Sequence, residues 1–233
     1  MSIADSQYTG TDNLEVMAEA VNYNDFLANT VARRLHAGDR VLDFGAGIGT
    51  FAGMLKARRY DVTCVEPDPA QRATILADGM PCAESLSQVP DGEATFVFTL
   101  NVLEHIEDDG AALKEIYRVL RPRGRLLIYV PAFMCLYSAM DRKVGHVRRY
   151  RKRRLAHALR AAGFDVRRAG YVDSLGFFAS LIYRYVGDSS GGVNRNALKL
   201  YDRFVFPVSR LLDRVCSPFF GKNLLVIAQR PGD

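Results

Sequence analysis

Several stretches of this chain are apolar at almost every position rather than at every second one. ATFVFTL (94–100) and RLLIYVP (125–131) are the clearest, and RVLDF (40–44) and DVTCVEP (61–67) are shorter versions. A strand that hides both faces belongs in a sheet covered on both sides, and such sheets are mostly parallel. Between the strands run segments whose apolar residues recur at three- and four-residue steps, such as DDGAALKEIYRVL (108–120) and KRRLAHALRAAGF (152–164). Parallel neighbours need crossover connections of this kind. The alternation therefore predicts an α/β fold with helices on both faces of one sheet.

The remaining elements follow the same rhythm. DPAQRATILADG reads as a helix with Asp68 as cap and Gly79 as stop, RPRG (121–124) as a turn, and DVRRAGYV (165–172) as a strand. Leu14, Met17, Ala18, Val21, Phe26, Leu27, Val31 and Leu35 recur at helical spacing ahead of the first strand. Late in the chain the rhythm breaks: 175–221 holds apolar and aromatic helical segments around GDSSGGVN. NLLVIAQR (223–230) then reads as a last strand, which can enter antiparallel to the strand before it. The expected organisation is one domain over 1–233, with a helical cap at 1–37 and a helical insertion or lid at 175–221.

Composition narrows the function classes. The opening MSIADSQYTGTDNLE lacks the basic and apolar regions of a secretory signal, and no apolar run approaches the roughly 20 residues of a membrane span, so a cytoplasmic location is expected. Cys64, Cys82, Cys135 and Cys216 form no close pair and the four histidines are scattered, which argues for reduced thiols and against a zinc site. The net charge of +5 decides little, but RKVGHVRRYRKRR (142–154) holds eight Lys or Arg in thirteen residues. With no adjoining RNA-binding module and one interleaved aromatic, Tyr150, nucleic acid ranks low as a partner.

VLDFGAGIGTF (41–51) places Gly45, Gly47 and Gly49 between a strand and a helix N-terminus, where bare backbone can approach a nucleotide or nucleoside at the sheet's carboxyl edge. The dinucleotide fingerprint G-x-G-x-x-G is missed by one place, since Thr50 stands where its third glycine belongs. Asp43 would repel a pyrophosphate but suits an ammonium group. Glu66, ending the second strand, can accept both hydroxyls of a ribose. A ligand with a ribose, a cationic amino-acid head and no phosphate satisfies both, and S-adenosylmethionine is such a ligand.

VLDFGAGIGTF, VEPDP, FTLNVLEHIEDDGAALKEIYRVLRPRGRLLIYVP and GHVRRYRKRRLAHALRAAGF, in this order over about residues 20–174, resemble a class I S-adenosylmethionine-dependent methyltransferase, of the subgroup similar to the ubiquinone and menaquinone biosynthetic enzymes. GKNLLVIAQR resembles that family's antiparallel seventh strand. The resemblance implies a Rossmann-like seven-stranded, mostly parallel sheet with an antiparallel last strand. It implies that Asp43 and Gly45 meet the methionyl amino group, and that Ala46, Gly47 and Gly49 give the cofactor room. Glu66 would hold the ribose and Pro67 lie beside the adenine, with Ala83 and Glu84 bracketing it; Cys82 stands where relatives commonly carry Asp. Asn101 and Val102 would line the methionyl moiety. The Pro81–Cys82 pair lies near the third strand, not after the fourth as in cytosine C5-methyltransferases, and NVLE (101–104) replaces the NPPY signature of adenine and amide N-methyltransferases.

On the acceptor side, His105 in LEHIED and His146 are the candidate bases; a structural or positioning role is the alternative for His105, and lining the acceptor pocket is the alternative for His146. Arg148 and Arg149 are candidates to clamp an anionic acceptor, with Tyr150 beside them. Arg151, Lys152, Arg153 and Arg154 begin a helix and read as a solvated face. In 195–221 an apolar stripe with flanking cations either packs on its own domain, covers a greasy acceptor, or touches a membrane surface, and Pro207 should kink any single helix there. The sequence thus points to methyl transfer to the O, N or C nucleophile of a small, anionic or lipid-like acceptor. A catalytically silent module of the same fold is the alternative, and the oligomeric state is open.

Overall fold

A computed structural model describes residues 19–186 and 194–232; Leu14, Met17, Ala18 and nearly all of GDSSGGVN lie outside them. The seven strands are β1 (Val41–Phe44), β2 (Val62–Val65), β3 (Cys82–Ala83), β4 (Ala94–Leu100), β5 (Leu120–Pro131), β6 (Asp165–Val172) and β7 (Asn223–Gln229). They form one sheet in the order β3-β2-β1-β4-β5-β7-β6. The β1–β2, β1–β4, β2–β3 and β4–β5 pairs are parallel. β7 is antiparallel to both β5 and β6 and inserts between them.

The α-helices are α1 (Val21–Ala32), α2 (Thr50–Lys56), α3 (Pro69–Ala77), α4 (Asp109–Val119), α5 (Ala139–Lys143), α6 (Lys152–Ala161), α7 (Ser174–Val186), α8 (Arg195–Leu200) and α9 (Phe206–Cys216). Every position of β4 is buried, as its unbroken apolar run requires. Its alternate side chains feed two cores. Val97 joins Leu113 and Ile116 of α4 and Leu155 and Leu159 of α6 on one face. Phe96 and Phe98 join Leu27 and Val31 of α1, Leu55 of α2 and Ile75 of α3 on the other. Each fully buried side chain of this size contributes about 1.5–3 kcal/mol relative to exposure, so the two layers jointly fix the sheet.

Local signals set several boundaries. Asp68 caps α3, accepting from the backbone N–H groups of Ala70 and Gln71 at 2.9 Å each. Gly79 and Gly163 follow α3 and α6 with φ of 68° and 98°. The expected RPRG turn instead lies within β5, because Leu120 already pairs with Ala94 across a register shift before Phe96. Pro207 sits in the first turn of α9, and the residues before it, Tyr201–Val205, form a π turn joining α8 to α9. Proline offers no N–H to close the ladder there, so the irregularity falls just ahead of it. Among the described residues no helix is long and apolar enough to cross a membrane.

Candidate functional site

The chain runs outward from β1 to β2 and β3, then returns to place β4 on the other side of β1. This reversal opens a crevice at the carboxyl ends of β1 and β4, the usual ligand position in an open α/β sheet. The glycine turn rises from it. Gly45 has φ 77°, and a Cβ built there would stand 2.4 Å from Cγ2 of Val102, so only a bare backbone lets the turn pass the end of β4. Gly49, at φ 81°, is the left-handed residue that starts α2, and a Cβ there would meet Cε of Met80 at 2.9 Å. Ala46 is buried beneath the turn.

Two acids stand at this crevice. Asp43 is buried, with only 2% exposed, and its Oδ2 has no hydrogen-bond partner among the described residues. Glu66 lies at the end of β2, accepting from the backbone N–H of Gly47 at 2.8 Å and of Asp68 at 3.0 Å. The carboxylate therefore pins the glycine turn to the next strand and keeps its remaining lone pairs for a ligand. Burial, then the neighbouring Glu66 charge, raises the pKa of Asp43 well above the usual range, and burial also raises that of Glu66. A buried, unpartnered acid whose electrostatic neighbour is a second acid is a receptor for a cation. The residues present fit S-adenosylmethionine in this respect, with an ammonium facing Asp43.

The flanks complete the crevice. The backbone N–H of Glu66 donates to the carbonyl of Ala83 at 3.0 Å, bringing β3 beside Glu66. Pro67 and Glu84 are exposed at its rim, and Arg72 bridges to Glu84 at 3.8 Å. Asn101 leaves β4 with φ 57°, a left-handed conformation that asparagine tolerates better than most residues. Its backbone N–H donates to Tyr129 at 2.8 Å, and its amide reaches the hydroxyl of Tyr23 on α1 at 3.5 Å. Tyr23 was not legible as a site residue, since nothing local marks its contact 78 positions away.

A second cluster forms beyond β4. The rings of His105 and His146 pack edge to face with centroids 4.7 Å apart. His146 Nδ1 lies 2.7 Å from Oδ1 of Asp141, and its Nε2 lies 3.7 Å from Oε1 of Glu104. Burial alone would raise the pKa of Asp141, but hydrogen bonds from His146 and Arg149 outweigh it and hold the carboxyl well below the usual range. An ionised carboxylate only accepts, so the His146 Nδ1 that faces Asp141 carries a hydrogen, and Nε2 is the ring nitrogen turned to Glu104. Burial, then the charge of His146, lowers His105 to about 4. Glu104 is fully buried, neither of its carboxyl oxygens has a hydrogen-bond partner among the described residues, and burial pushes it up to about 8. Glu104, His105 and His146 each present one ligand atom within 4.8 Å of the others, a donor set that could also hold a metal ion. Scattering along the sequence hid this grouping.

The basic loop differs from its expectation. Arg149 is buried and forks onto Asp141, Nε to Oδ1 at 2.8 Å and Nη2 to Oδ2 at 2.9 Å. Arg148 pairs with Asp109 at 2.8 Å and donates to the Glu107 carbonyl at 2.7 Å. Tyr150 is fully buried, its hydroxyl donating to Asp109 at 2.7 Å. Arg148 and Tyr150 tie the loop after β5 to the segment after β4 through Asp109, while Arg149 closes the loop on itself through Asp141, partners that the local run did not reveal. Arg149 thereby shares Asp141 with His146, and both guanidinium groups are engaged by internal carboxylates. Arg151, Arg153 and Arg154 are solvated, as their helical face suggested.

Comparisons with known proteins bear on this arrangement. A family model described as a methyltransferase domain matches residues 16–169. An uncharacterized methyltransferase of Mycobacterium tuberculosis is 32% identical over 48% of this chain and 45% of its own length. A probable S-adenosylmethionine-dependent methyltransferase of Mycolicibacterium smegmatis is 29% identical over 61% of this chain and 56% of its own length. The chain thus spans about half the length of these curated relatives. Among solved structures, a Haloferax volcanii putative methyltransferase, held in complex with the Trm112 methyltransferase activator, superposes with a TM-score of 0.66 at 16% identity, covering 96% of each chain.

Proposed function

The chain belongs to the methyltransferase-domain family matched over residues 16–169, and on that premise we propose that it transfers a methyl group from S-adenosylmethionine to an oxygen, nitrogen or carbon nucleophile of a small-molecule acceptor. The observation that carries this reading is the buried, unpartnered Oδ2 of Asp43 beside Glu66 and the glycine turn. In it, Asp43 and Gly45 hold the cationic amino-acid head, and Glu66 takes the ribose hydroxyls. Pro67, Ala83 and Glu84 flank the adenine, Ala46, Gly47 and Gly49 give the cofactor room, and Asn101 and Val102 line the methionyl moiety. When bound, the cofactor supplies an electrophilic methyl group on a positively charged sulfur.

The chain's own task is then alignment, exclusion of water and removal of a proton. Well-oriented reactants remove on the order of 7–11 kcal/mol of barrier. We assign His146 as the proton acceptor, because Asp141 holds its Nδ1 and fixes the ring while Nε2 stays clear of Asp141, 3.7 Å from Glu104. His105, kept neutral by burial, packs against it as a positioning residue or second acceptor. With Arg148 and Arg149 held internally, the anionic acceptor loses its clamp. That leaves the lipid-like acceptor as the one we favour. Calorimetry should detect S-adenosylmethionine binding to the intact protein; no binding ends the reading. Turnover confined to RNA or protein substrates in an acceptor screen would end the small-molecule assignment alone.

A further inference from the structure

The helical segment late in the chain presents an outward face that the other described residues leave uncovered. Leu200, Phe204, Val208, Leu211 and Val215 recur at steps of four, four, three and four along α8, the π turn and α9, and each is between 50% and 73% exposed. The inward face is equally definite: Phe206, Ser209 and Asp213 of α9 are buried. Ser209 accepts from the backbone N–H of Leu175, and Asp213 from those of Asp173 and Ser174 at 2.9 Å each, locking α9 against the start of α7. On α7 itself Phe178, Ile182 and Tyr185 repeat the pattern at steps of four and three, exposed by 50% to 76%. Apolar side chains in such number on adjacent helices exceed the single scattered residues a surface ordinarily tolerates.

The charges decide what this face meets. Among the described residues from 174 to 220, the acidic side chains are Asp202 and Asp213, both buried. Asp202 accepts from the backbone N–H groups of Asn22 and Tyr23, which ties the stripe's inner side to α1. The cations point outward. Arg203 and Arg214 are exposed and form no ion pair within the described residues, Arg184 is exposed beside the apolar rows, and Lys199 pairs with Glu19 at 3.1 Å. A self-complementary contact with a second copy would bring Arg203 and Arg214 toward their own copies, and the acid beside α8, Glu19, is already paired with Arg195 and Lys199. An anionic lipid surface instead takes up the apolar rows and neutralises the flanking cations together.

We propose that α7, α8 and α9 form a docking face for an anionic membrane surface, on which the protein lies without crossing it. The inference is independent of the cofactor assignment. Its test is co-sedimentation of the full chain with phosphatidylcholine vesicles, with and without a third of phosphatidylglycerol, at low and high salt. Binding is expected with phosphatidylglycerol and should fall at least tenfold without it or at high salt. The Leu211→Glu/Val215→Glu pair should abolish binding, and the Arg203→Ser/Arg214→Ser pair should weaken it about tenfold. Both sets of side chains point outward, so circular dichroism and the melting temperature should match the parent. Should one pair fail to fold, the other carries the test. Failure to bind phosphatidylglycerol vesicles overturns the proposal. A concentration-dependent doubling of mass in sedimentation equilibrium, removed by the Leu211→Glu/Val215→Glu pair, also overturns it and makes a second copy the occupant.

Discussion

Asp43→Asn should make the free protein more stable and the cofactor complex weaker. In the free protein Asp43 is buried, Oδ2 lacks a partner among the described residues, and the charge that acts on it is that of Glu66. An unsatisfied buried polar group costs about 1–3 kcal/mol, and more when charged. The asparagine keeps the shape without the charge, so about 1–2 kcal/mol of that penalty should be recovered. For a chain of this size that shifts the melting temperature by roughly 2–8 °C. The pH dependence has a defined sign. The carboxyl's folded pKa is raised above its ordinary 3.8, so the native state binds more protons than the unfolded one. Wild-type stability relative to Asp43→Asn is greatest below that ordinary value and is lost as pH rises toward the folded pKa. The two melting curves should therefore converge in acid and separate toward neutrality. Affinity moves the opposite way. Losing a charge-assisted hydrogen bond to an ammonium is worth about 1.5–3 kcal/mol, or about 10- to 150-fold in Kd. S-adenosylhomocysteine, which keeps the ammonium but not the sulfonium, should weaken equally. Denaturation at pH 5 and pH 8 beside calorimetry reads both effects. A variant that is less stable than wild type and binds the cofactor undiminished would refute the cation-receptor argument.

Gly45→Ala should reduce cofactor binding and cost about 2 kcal/mol or more in stability, since the added Cβ meets Val102 at 2.4 Å on a left-handed backbone. Val102→Ala in the same chain should restore only the steric part, and full rescue in urea melts would show that φ carries no strain. His146→Ala should lower kcat about 10²- to 10⁴-fold while cofactor Kd holds. Asp141→Asn should also lower kcat, because the amide no longer demands the hydrogen on Nδ1; unchanged kcat in Asp141→Asn would remove Asp141 from the assignment. Dialysis against a chelator should leave turnover intact, and a loss restored by Mn²⁺ would make Glu104, His105 and His146 a metal site instead.

The elements that the sequence reading located well are those whose cause is local. β4 and β6 match ATFVFTL and DVRRAGYV because burial on both faces, or pairing at a sheet's end, writes itself into consecutive residues. Asp68 and Gly79 act within one turn of the helix they bound. Asp43 and Glu66 are legible for a related reason: each ends a recognisable strand, and parallel neighbours carry their carboxyl ends to the same edge.

What eluded the reading depends on partners far along the chain. The run from Arg148 to Tyr150 looked like an anion clamp because a run displays charge and conceals pairing. Asp109 lies 41 residues before Tyr150, and the fold spends the exposed-looking cations on it and on Asp141. The same fold creates, by subtraction, the chemistry of His146: Arg149 and His146 share Asp141, so the carboxylate stays ionised and the imidazole keeps one tautomer. Removing Arg149 should therefore damage the site without its ever touching an acceptor. Arg149→Met should raise the Asp141 pKa toward its ordinary 3.8 or beyond and loosen the ring of His146. An NMR titration of the His146 imidazole would read that change directly, and an unaltered titration would leave Arg149 a packing residue only.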